Sequence, residues 1–335
     1  MYTSSKFRPA AISAKTTSSD SRMFTGARER LIFLGLLCAA VLSGCASDGV
    51  VRGLDDPFLS AHEVEVLEWR ERRLNRLAEP YGWLSLVALE FLADGEYRVG
   101  TADDNEIVVG SGPARWGSIQ VVGSEAWFVT APGAAVRVDG LLIAEAAMLP
   151  ASDDRPATTV EAGTVQMQML ERGDRLALRV RDSEAETRTG FAGLDYFPIA
   201  RDWRIEARWR EHSEGRYLLV ANVLGELVRE PNPGWAEFEV DGRSFGLEAV
   251  DAGDQLFFIF ADRTSGRESY GLGRFLYADK PAPGSSVVLL DFNKAYNPPC
   301  AFTAYSTCPL PPPENRLDIR IEAGELAPPG GGMTP

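Results

Sequence analysis

The sequence predicts a mainly β protein, an antiparallel β-sandwich or barrel-like body with one N-terminal amphipathic helix. From about residue 95, short runs of β-branched and aromatic residues are broken by Gly, Pro and Asp, which is typical of strands joined by turns. Helical periodicity occurs in one long segment, residues 61–79. With 45% apolar and 24% charged residues, the composition is that of a folded globular protein.

The first element of the chain is an export signal. Arg28 and Arg30 precede an apolar run, residues 31–41, that is too short to span a bilayer as a retained helix. Leu42-Ser43-Gly44-Cys45 then resembles a bacterial lipoprotein signal, whose cleavage exposes Cys45 for lipidation. A plain signal peptide with a fortuitous match is the alternative. We therefore expect a cell-envelope protein that faces the periplasm and is anchored through Cys45. Ala46 resembles the default for the outer membrane.

The second element is the helix, which follows a short tether. Ser60 and Glu63 form a capping box, and Pro80 ends the helical pattern. The predicted apolar face consists of four residues at helical spacing, Val64, Leu67, Leu74 and Leu77. The opposite face is predicted to be a solvated or intersubunit surface rather than a site, and it carries Glu65, Glu68, Arg72, Arg76 and Glu79.

Strands make up the rest of the predicted body. The predicted strands are Ser118–Val122, Ala126–Val129, Ala135–Val138, Val165–Leu170, Arg175–Val180, Trp203–Trp209, Tyr217–Ala221, Trp235–Val240, Gln255–Phe260, Val287–Phe292 and Leu317–Ile321. Asp139-Gly140 and Asp241-Gly242 each lie between strand-like segments, which is the preferred sequence of a tight hairpin turn. The two turns leave open whether the body is one β unit or two successive ones.

The expected organisation of the chain has six parts. They are a lipoprotein signal peptide at 1–44, a tether at 45–57, an N-terminal helical segment at 58–95, a first β unit at 96–190, a C-terminal β unit at 191–326 and a disordered tail at 327–335. The tail is rich in Gly and Pro, which gives it little apolar surface to bury.

The charge balance excludes one class of partner. A net charge of -14 and a pI near 4.8 argue against nucleic acid, because binding to phosphates needs clustered Lys and Arg. His62 and His212 are the only histidines, so a multi-histidine metal site is impossible, and both are predicted to lie on the surface. We expect neither a metal nor a cofactor.

Two short motifs resemble catalytic or phosphate-binding sequences. Gly242-Arg243-Ser244-Phe245-Gly246 matches the nucleophile elbow of hydrolases, but it follows a hairpin turn and no histidine occurs after His212. Gly271-Leu272-Gly273 lacks the third glycine of a phosphate loop. We interpret the first as a coincidence and the second as a turn before a strand at 274–277.

Two cysteines remain once the signal and the lipidation site are set aside. Cys300 and Cys308 are eight residues apart between prolines in an oxidising compartment, which favours a disulfide-closed loop. A thiolate nucleophile, a pair of metal ligands and two unbonded buried thiols remain as alternatives.

A cluster of polar residues follows the strand at 287–292. Asp291, Asn293, Lys294, Tyr296 and Asn297 lie within seven residues at one edge of the predicted sheet, where ligand sites tend to form. Asp291 and Lys294 could act as general base and electrostatic partner. They could equally form a salt bridge that fixes the proline-rich loop.

This C-terminal stretch resembles an uncharacterised family, the domain of unknown function 1684. The resemblance rests on residues 291–303, 308–311, 314–317 and 323–325, and it covers most of residues 175 to 325. Upstream, Tyr270 and residues 273–276 and 179–182 also resemble the family, and residues 82–84 do so more weakly. The family implies no established activity. It implies that one constellation contains Tyr270, Arg274, Asp291, Asn293, Lys294, Tyr296, Asn297, Cys300, Cys308, Asn315 and Glu325.

Three classes of function follow from these observations. In the first, a lipid-anchored module binds a small polar ligand through Tyr270, Arg274 and the residues from Asp291 to Asn297. The second class is a periplasmic hydrolase that uses Asp291 as base, with Lys294 or Arg274 stabilising negative charge. The third is a structural or assembly lipoprotein whose C-terminal motif locks the fold.

Overall fold

Strands dominate the protein, which confirms the predicted fold class. The computed structural model describes residues 59–329 apart from 153 and 174. The predicted signal peptide, the predicted lipidation site Cys45, the predicted tether and the last six residues of the predicted tail therefore lie outside the described residues. Strand pairing in the described chain is antiparallel except between the second and third strands, and none of its five sheets closes on itself.

The N-terminal helix, α1, spans Ala61–Leu77 and begins as the sequence predicts. The Ser60 side chain accepts a hydrogen bond from the Glu63 N–H, and the Glu63 carboxylate accepts one from the Ser60 N–H, which is a complete capping box. The predicted apolar face is wrong in part. Val66, Arg73 and Leu77 are the buried residues, whereas Leu74 is 37% exposed. The packed face includes polar side chains, so apolar spacing alone could not locate it.

The strands before residue 183 build two five-stranded sheets. They are β1 (Leu86–Leu92), β2 (Gly95–Gly100), β3 (Ile107–Val108), β4 (Gly117–Val122), β5 (Glu125–Thr130), β6 (Arg137–Val138), β7 (Glu145–Ala147), β8 (Thr159–Ala162), β9 (Val165–Arg172) and β10 (Arg175–Asp182). The sheet orders are β1-β10-β9-β8-β6 and β3-β2-β4-β5-β7. Alternate residues of both sheets, such as Ile119, Phe128, Met167 and Leu178, meet in one hydrophobic core, as in a sandwich.

A short helix, α2 (Glu186–Thr189), leads to the remaining strands. They are β11 (Arg204–Glu211), β12 (Tyr217–Ala221), β13 (Leu227–Pro231), β14 (Gly234–Val240), β15 (Arg243–Glu248), β16 (Val250–Ala252), β17 (Gln255–Phe260), β18 (Arg274–Asp279) and β19 (Val287–Asp291). The sheet β15-β14-β11-β19 and the sheet β16-β17-β18 share a second core, whereas β12 and β13 form a separate hairpin. The described residues belong to one compact unit, and the division at residue 190 stays a prediction.

Both predicted Asp-Gly turns are tight hairpin turns. Asp139 and Asp241 have φ values of 49° and 52°, and the glycine after each also has positive φ. Two successive residues in this region define the turn that matches strand twist, and Asp and Gly tolerate it best. The second turn places Ser244 in β15, exposed to solvent, which agrees with the interpretation of the elbow motif as a coincidence.

Two strand predictions require correction. Residues 317–321 contain no strand, because only the neighbouring Arg316 forms an isolated bridge, with Ala261. Leu317 and Ile321 are nevertheless buried in the second core, so their apolar character reflects packing rather than sheet pairing. The segment predicted at 135–138 pairs only at Arg137–Val138. Among the described residues, no helix has the length and apolar character needed to cross a membrane.

Candidate functional site

The C-terminal motif begins where β19 ends in the core. Leu290 is buried, and the chain turns at once into a short 3₁₀ helix, Phe292–Lys294. Asn293 fixes this turn because its amide group makes paired hydrogen bonds, both 2.9 Å, with the N–H and carbonyl of Ala200. Its N–H and side-chain amide also donate to Oδ1 of Asp291. Asp291 is therefore held rigidly, with its second oxygen, Oδ2, facing α1.

His62 completes this arrangement from the first turn of α1. Its Nε2 lies 2.9 Å from Oδ2 of Asp291, and the side chains are only 11% and 8% exposed. Because a carboxylate only accepts hydrogen bonds, Nε2 carries the hydrogen and Nδ1 is left without a hydrogen-bond partner in the described residues. The prediction that His62 lies on the surface is wrong. His212 is likewise largely buried and pairs with Glu248 at 2.8 Å, so the same prediction fails there.

Charged residues surround the His62–Asp291 pair. Lys294 contacts Glu65 of α1, and its Nζ lies 3.6 Å from Asp291 Oδ2. Arg204, the first residue of β11, lies 3.6 Å from Glu65. The hydrogen bond from Lys294 lowers the pKa of the Glu65 carboxyl. The residues of the predicted solvated face are all exposed, as expected, and Glu65 among them also joins α1 to the motif.

A groove of about 490 Å³ opens beside this pair. It is lined by the start of α1 and by the segment that leads into β11, namely Ser60, Ala61, His62, Glu63, Ile199, Arg201 and Arg204. Arg201 is exposed and has no ion pair among the described residues. The positive end of the helix dipole lies at the start of α1, which lines the groove. The groove thus combines an oriented imidazole with two guanidinium groups.

Arg73 and Glu325 link the helix to the end of the motif. Arg73 Nε donates to Glu325 Oε1 and Arg73 Nη2 donates to the Asn297 carbonyl, both at 2.9 Å. Glu325 also accepts from the Asn297 N–H at 2.8 Å. Burial raises the pKa of the fully enclosed Glu325 carboxyl, although Arg73 opposes this shift. Gly324 makes the approach possible, because its φ is +83° and a Cβ would lie 2.4 Å from the Ala295 carbonyl oxygen.

Arg274 and Tyr270 lie in the interior rather than at the groove. Both side chains are fully buried. Arg274 donates to Asp262 at 3.1 Å and to the carbonyls of Ile321 and Ala323, while Tyr270 donates to the Cys300 carbonyl. Burial lowers the pKa of the Arg274 guanidinium, and Asp262 opposes this effect. A ligand role for Arg274 and Tyr270 stays a prediction, and their contacts favour the locking role.

The remaining motif residues also make internal contacts. Asn297 Nδ2 donates to the Leu326 carbonyl, and Asn315 bonds both the N–H and the carbonyl of Glu248. Tyr296 packs between Trp69 of α1 and Phe275, and Arg73 lies over its ring at 4.6 Å. Burial raises the pKa of the Tyr296 hydroxyl. Most of the motif therefore builds the fold, whereas Asp291 contacts His62 of the groove lining and Lys294 lies beside Asp291.

The predicted disulfide between Cys300 and Cys308 is confirmed. The two Cα atoms are 6.1 Å apart, both residues are buried, and the Ser306 hydroxyl contacts both sulfurs. The loop packs beside a larger groove of about 640 Å³ at the other end of α1. The lining of that groove includes Phe191, Phe302 and the carboxylates Glu186 and Asp195 but no cationic side chain, so we place the candidate site at the smaller groove.

Metal ligands do not converge in the described part of the chain. Among residues 59–329 no group of three or more His, Cys, Asp or Glu side chains could hold a metal ion. The residues that line the groove offer hydrogen-bond donors and positive charge.

Sequence reasoning missed His62, Arg73, Arg201 and Arg204. One signal was available, because residues 62, 66, 69, 73 and 77 recur at helical spacing and define the packed face of α1. Three of them are apolar, so a search that allowed polar members would have found the face. Arg201 and Arg204 carry no such signal, because the long-range fold alone brings them to α1.

Comparison with known proteins supports the family resemblance of the C-terminal motif. Residues 189–326 match the family described as Protein of unknown function (DUF1684), so the upstream resemblance at 82–84 and 179–182 lies outside the matched range. The chain is also similar to an uncharacterized protein of Haloarcula marismortui with a solution NMR structure, at 34% identity, covering 42% of this chain and 78% of that one, with a TM-score of 0.36. No curated protein matches. The chain belongs to the DUF1684 family.

Proposed function

We propose that this protein is a lipid-anchored protein of the bacterial cell envelope that binds a small anionic ligand. The ligand would occupy the groove beside α1, which we call the His62 groove after its central residue. The observation that carries the proposal is the 2.9 Å contact between Asp291 Oδ2 and His62 Nε2 at the wall of an open groove that also contains Arg201 and Arg204.

The geometry of the pair supports binding rather than mere packing. Asp291 is held by Asn293 and is nearly buried, so it fixes the orientation of the imidazole. The Nδ1 atom of His62 then remains for a ligand, either as an acceptor or, when protonated, as a donor. An oriented ring loses little conformational entropy on binding, which favours affinity.

The charges of the groove support an anionic ligand. Glu63 also lines the groove, but its carboxylate caps the helix by accepting from the Ser60 N–H at 2.8 Å. Arg201 has no ion pair in the described chain, and a guanidinium binds carboxylate or phosphate through two parallel hydrogen bonds. The first turn of α1 adds backbone N–H groups and the positive end of the dipole. These features together favour a small phosphate or carboxylate compound.

The test is a thermal denaturation screen of the full chain in detergent micelles. Inorganic phosphate, pyrophosphate and citrate serve as probes, with glucose as a neutral control. A ligand present at 100 times its Kd adds about 2.7 kcal/mol to the free energy of unfolding, which raises the Tm by several degrees. We expect at least one anion to stabilise the protein and glucose to leave the Tm unchanged.

Matched variants decide whether the His62 groove is the site. His62→Gln and Arg201→Gln should each abolish the stabilisation by the anion. His212→Gln and Arg208→Gln should retain it, because His212 is paired elsewhere with Glu248 and Arg208 is an exposed arginine of β11 outside the groove. Equal loss in both sets, or stabilisation by none of the anions, would contradict the proposal.

A second candidate function is hydrolysis, and the same pair favours it. A buried carboxylate that orients an imidazole is the arrangement of a general base and its supporting group. The base would then be His62, with Asp291 as the positioning residue, rather than Asp291 itself. Turnover of p-nitrophenyl phosphate or p-nitrophenyl acetate by the wild type, and its loss in His62→Gln but not in His212→Gln, would support this function.

The lipid anchor is tested separately. Cells that produce the wild type should release it from membranes only with detergent, and mass spectrometry should find acyl chains on Cys45. Cys45→Ala should move the protein to the soluble periplasmic fraction. A wild-type protein whose N-terminal residue carries no lipid would contradict this part of the proposal.

A further inference from the structure

The hairpin of β12 and β13 carries a large cluster of exposed apolar side chains. Five of them lie within residues 217–228 and are 44% to 68% exposed, namely Tyr217, Leu219, Leu224, Leu227 and Val228. Single exposed apolar residues are ordinary on protein surfaces, whereas a contiguous group on one element indicates a contact surface. We call these five residues the hairpin patch.

The strand register places three residues of the patch on the outer face, whereas Val228 lies opposite Val220 on the other face. Tyr217 and Leu219 lie on the same face as Leu227, because Ala221 pairs with Leu227 across the hairpin. The inner face is occupied differently, since Leu218 and Val220 are buried against the disulfide loop. Leu224 lies in the turn itself. The tip therefore exposes leucine where a turn usually exposes polar residues.

The outer face of the hairpin strands carries one charged side chain, Arg229, which lies opposite Leu219. Of the two carboxylates in residues 217–231, Glu230 lies opposite Leu218 on the inner face, and Glu226 immediately precedes β13. That carboxylate is neutralised, because Arg175 donates to it at 2.7 Å and Asn222 at 2.8 Å. Arg229 has no carboxylate partner in the described chain, and its guanidinium lies 4.8 Å from the centre of the Tyr217 ring.

We propose that the hairpin patch inserts into the headgroup region of a phospholipid bilayer. An apolar tip flanked by an unpaired arginine complements lipid phosphates and the acyl chains beneath them. Leu224 and Leu227 enter deepest. Tyr217, farther from the tip, takes the interfacial position that amphipathic aromatic side chains prefer. The inference rests on the proposed lipid anchor, which keeps the body close to such a surface.

The experiment places a fluorescent probe on the tip of the full-length chain. Leu224→Cys is labelled with an environment-sensitive NBD group and mixed with vesicles of phosphatidylethanolamine and phosphatidylglycerol, without and with nitroxide-bearing lipid. Val122→Cys is the matched control, because Val122 is also exposed and ends a strand far from the hairpin in sequence. We expect a blue shift of the emission and quenching by the nitroxide at residue 224 only.

Two outcomes would overturn the proposal. The first is an NBD emission maximum at residue 224 that equals the one at residue 122 when vesicles are present, together with quenching of the probe at residue 224 by aqueous iodide. The second is a blue shift that occurs without vesicles and grows with protein concentration, because a second copy of the chain would then cover the patch. Flotation of the wild type against Cys45→Ala measures the anchor independently, so a failed anchor and a failed insertion are distinguishable.

Discussion

Arg73 and Glu325 form a buried ion pair that joins the first helix to the last part of the motif. The Nε–Oε1 distance is 2.9 Å, and Glu325 is completely buried while Arg73 is almost so. The two residues are 252 positions apart in sequence. Helix α1 is therefore part of the C-terminal body, and it carries His62 to the motif as a consequence of this attachment.

Removal of Arg73 should destabilise the protein strongly. Arg73→Ala leaves the Glu325 carboxyl buried without its partner, which costs about 3–5 kcal/mol in the free energy of unfolding. Arg72→Ala is the matched control, because Arg72 is exposed and its nearest carboxylate, Glu68, lies 3.7 Å away in a surface pair. That control should change the free energy by less than about 0.5 kcal/mol. Denaturant unfolding of both variants measures the difference, and equal effects would contradict this assignment.

Arg274 gives a second prediction about the locking role of the motif. Arg274→Lys cannot reproduce the guanidinium contacts with Asp262 and the carbonyls of Ile321 and Ala323, so we expect a loss of about 3 kcal/mol or more. Arg267→Lys, at an exposed position, should be nearly neutral. If Arg274→Lys kept full stability but lost anion binding, Arg274 would belong to a ligand site instead.

The disulfide should contribute to stability by closing a short loop. For a loop of this length the entropy lost by the unfolded chain corresponds to about 2.5 kcal/mol. A Cys300→Ala, Cys308→Ala double variant should unfold at lower denaturant concentration in the absence of reductant. With reductant present, the unfolding midpoint of the wild type should fall toward that of the double variant. An unfolding midpoint of the wild type that reductant does not change would contradict the prediction.

The contact between Glu65 and Lys294 should make the free energy of unfolding depend on pH. The hydrogen bond of Glu65 with Lys294 lowers the pKa of the carboxyl below the usual value of 4.5. A lowered folded-state pKa contributes stability that is present above the unfolded value and is lost as the pH falls. Glu65→Gln should therefore be less stable than the wild type at pH 7, by under about 1 kcal/mol because the site is partly exposed, and nearly equal to it at pH 2. Glu68→Gln, on the exposed face, should show a smaller difference at pH 7, and a constant difference for Glu65→Gln would contradict the account.

Local features of the fold were predictable because their causes lie within a few residues. The capping box of Ser60 and Glu63 and the two Asp-Gly turns each depend on neighbouring side chains and allowed φ values. Strands in which buried and less buried residues alternate, such as β9 and β14, were equally predictable from the sequence, because one of their faces packs on a core. The prediction of a strand at residues 317–321 was wrong because a buried irregular segment has the same apolar character as a strand.

The candidate site was only half predictable. Asp291 and Lys294 stood out as polar residues at the end of an apolar strand, of which Val288 and Leu290 are buried. His62 could not be assigned to them, because 229 residues separate it from Asp291 and nothing local indicates the contact. The packed face of α1 that carries His62 could not be predicted either, because it includes Arg73. That residue is buried only because the distant Glu325 neutralises it.

The most direct test of the central claim uses the two histidines of the protein. A ¹⁵N spectrum of the imidazole groups should contain signals from His62 and His212 alone, assigned with His212→Gln. Titration with the anion that stabilises the protein, or with inorganic phosphate, should shift the His62 nitrogens in a saturable manner and leave those of His212 unchanged. If neither histidine responds, or if both respond equally, the His62 groove does not bind anions.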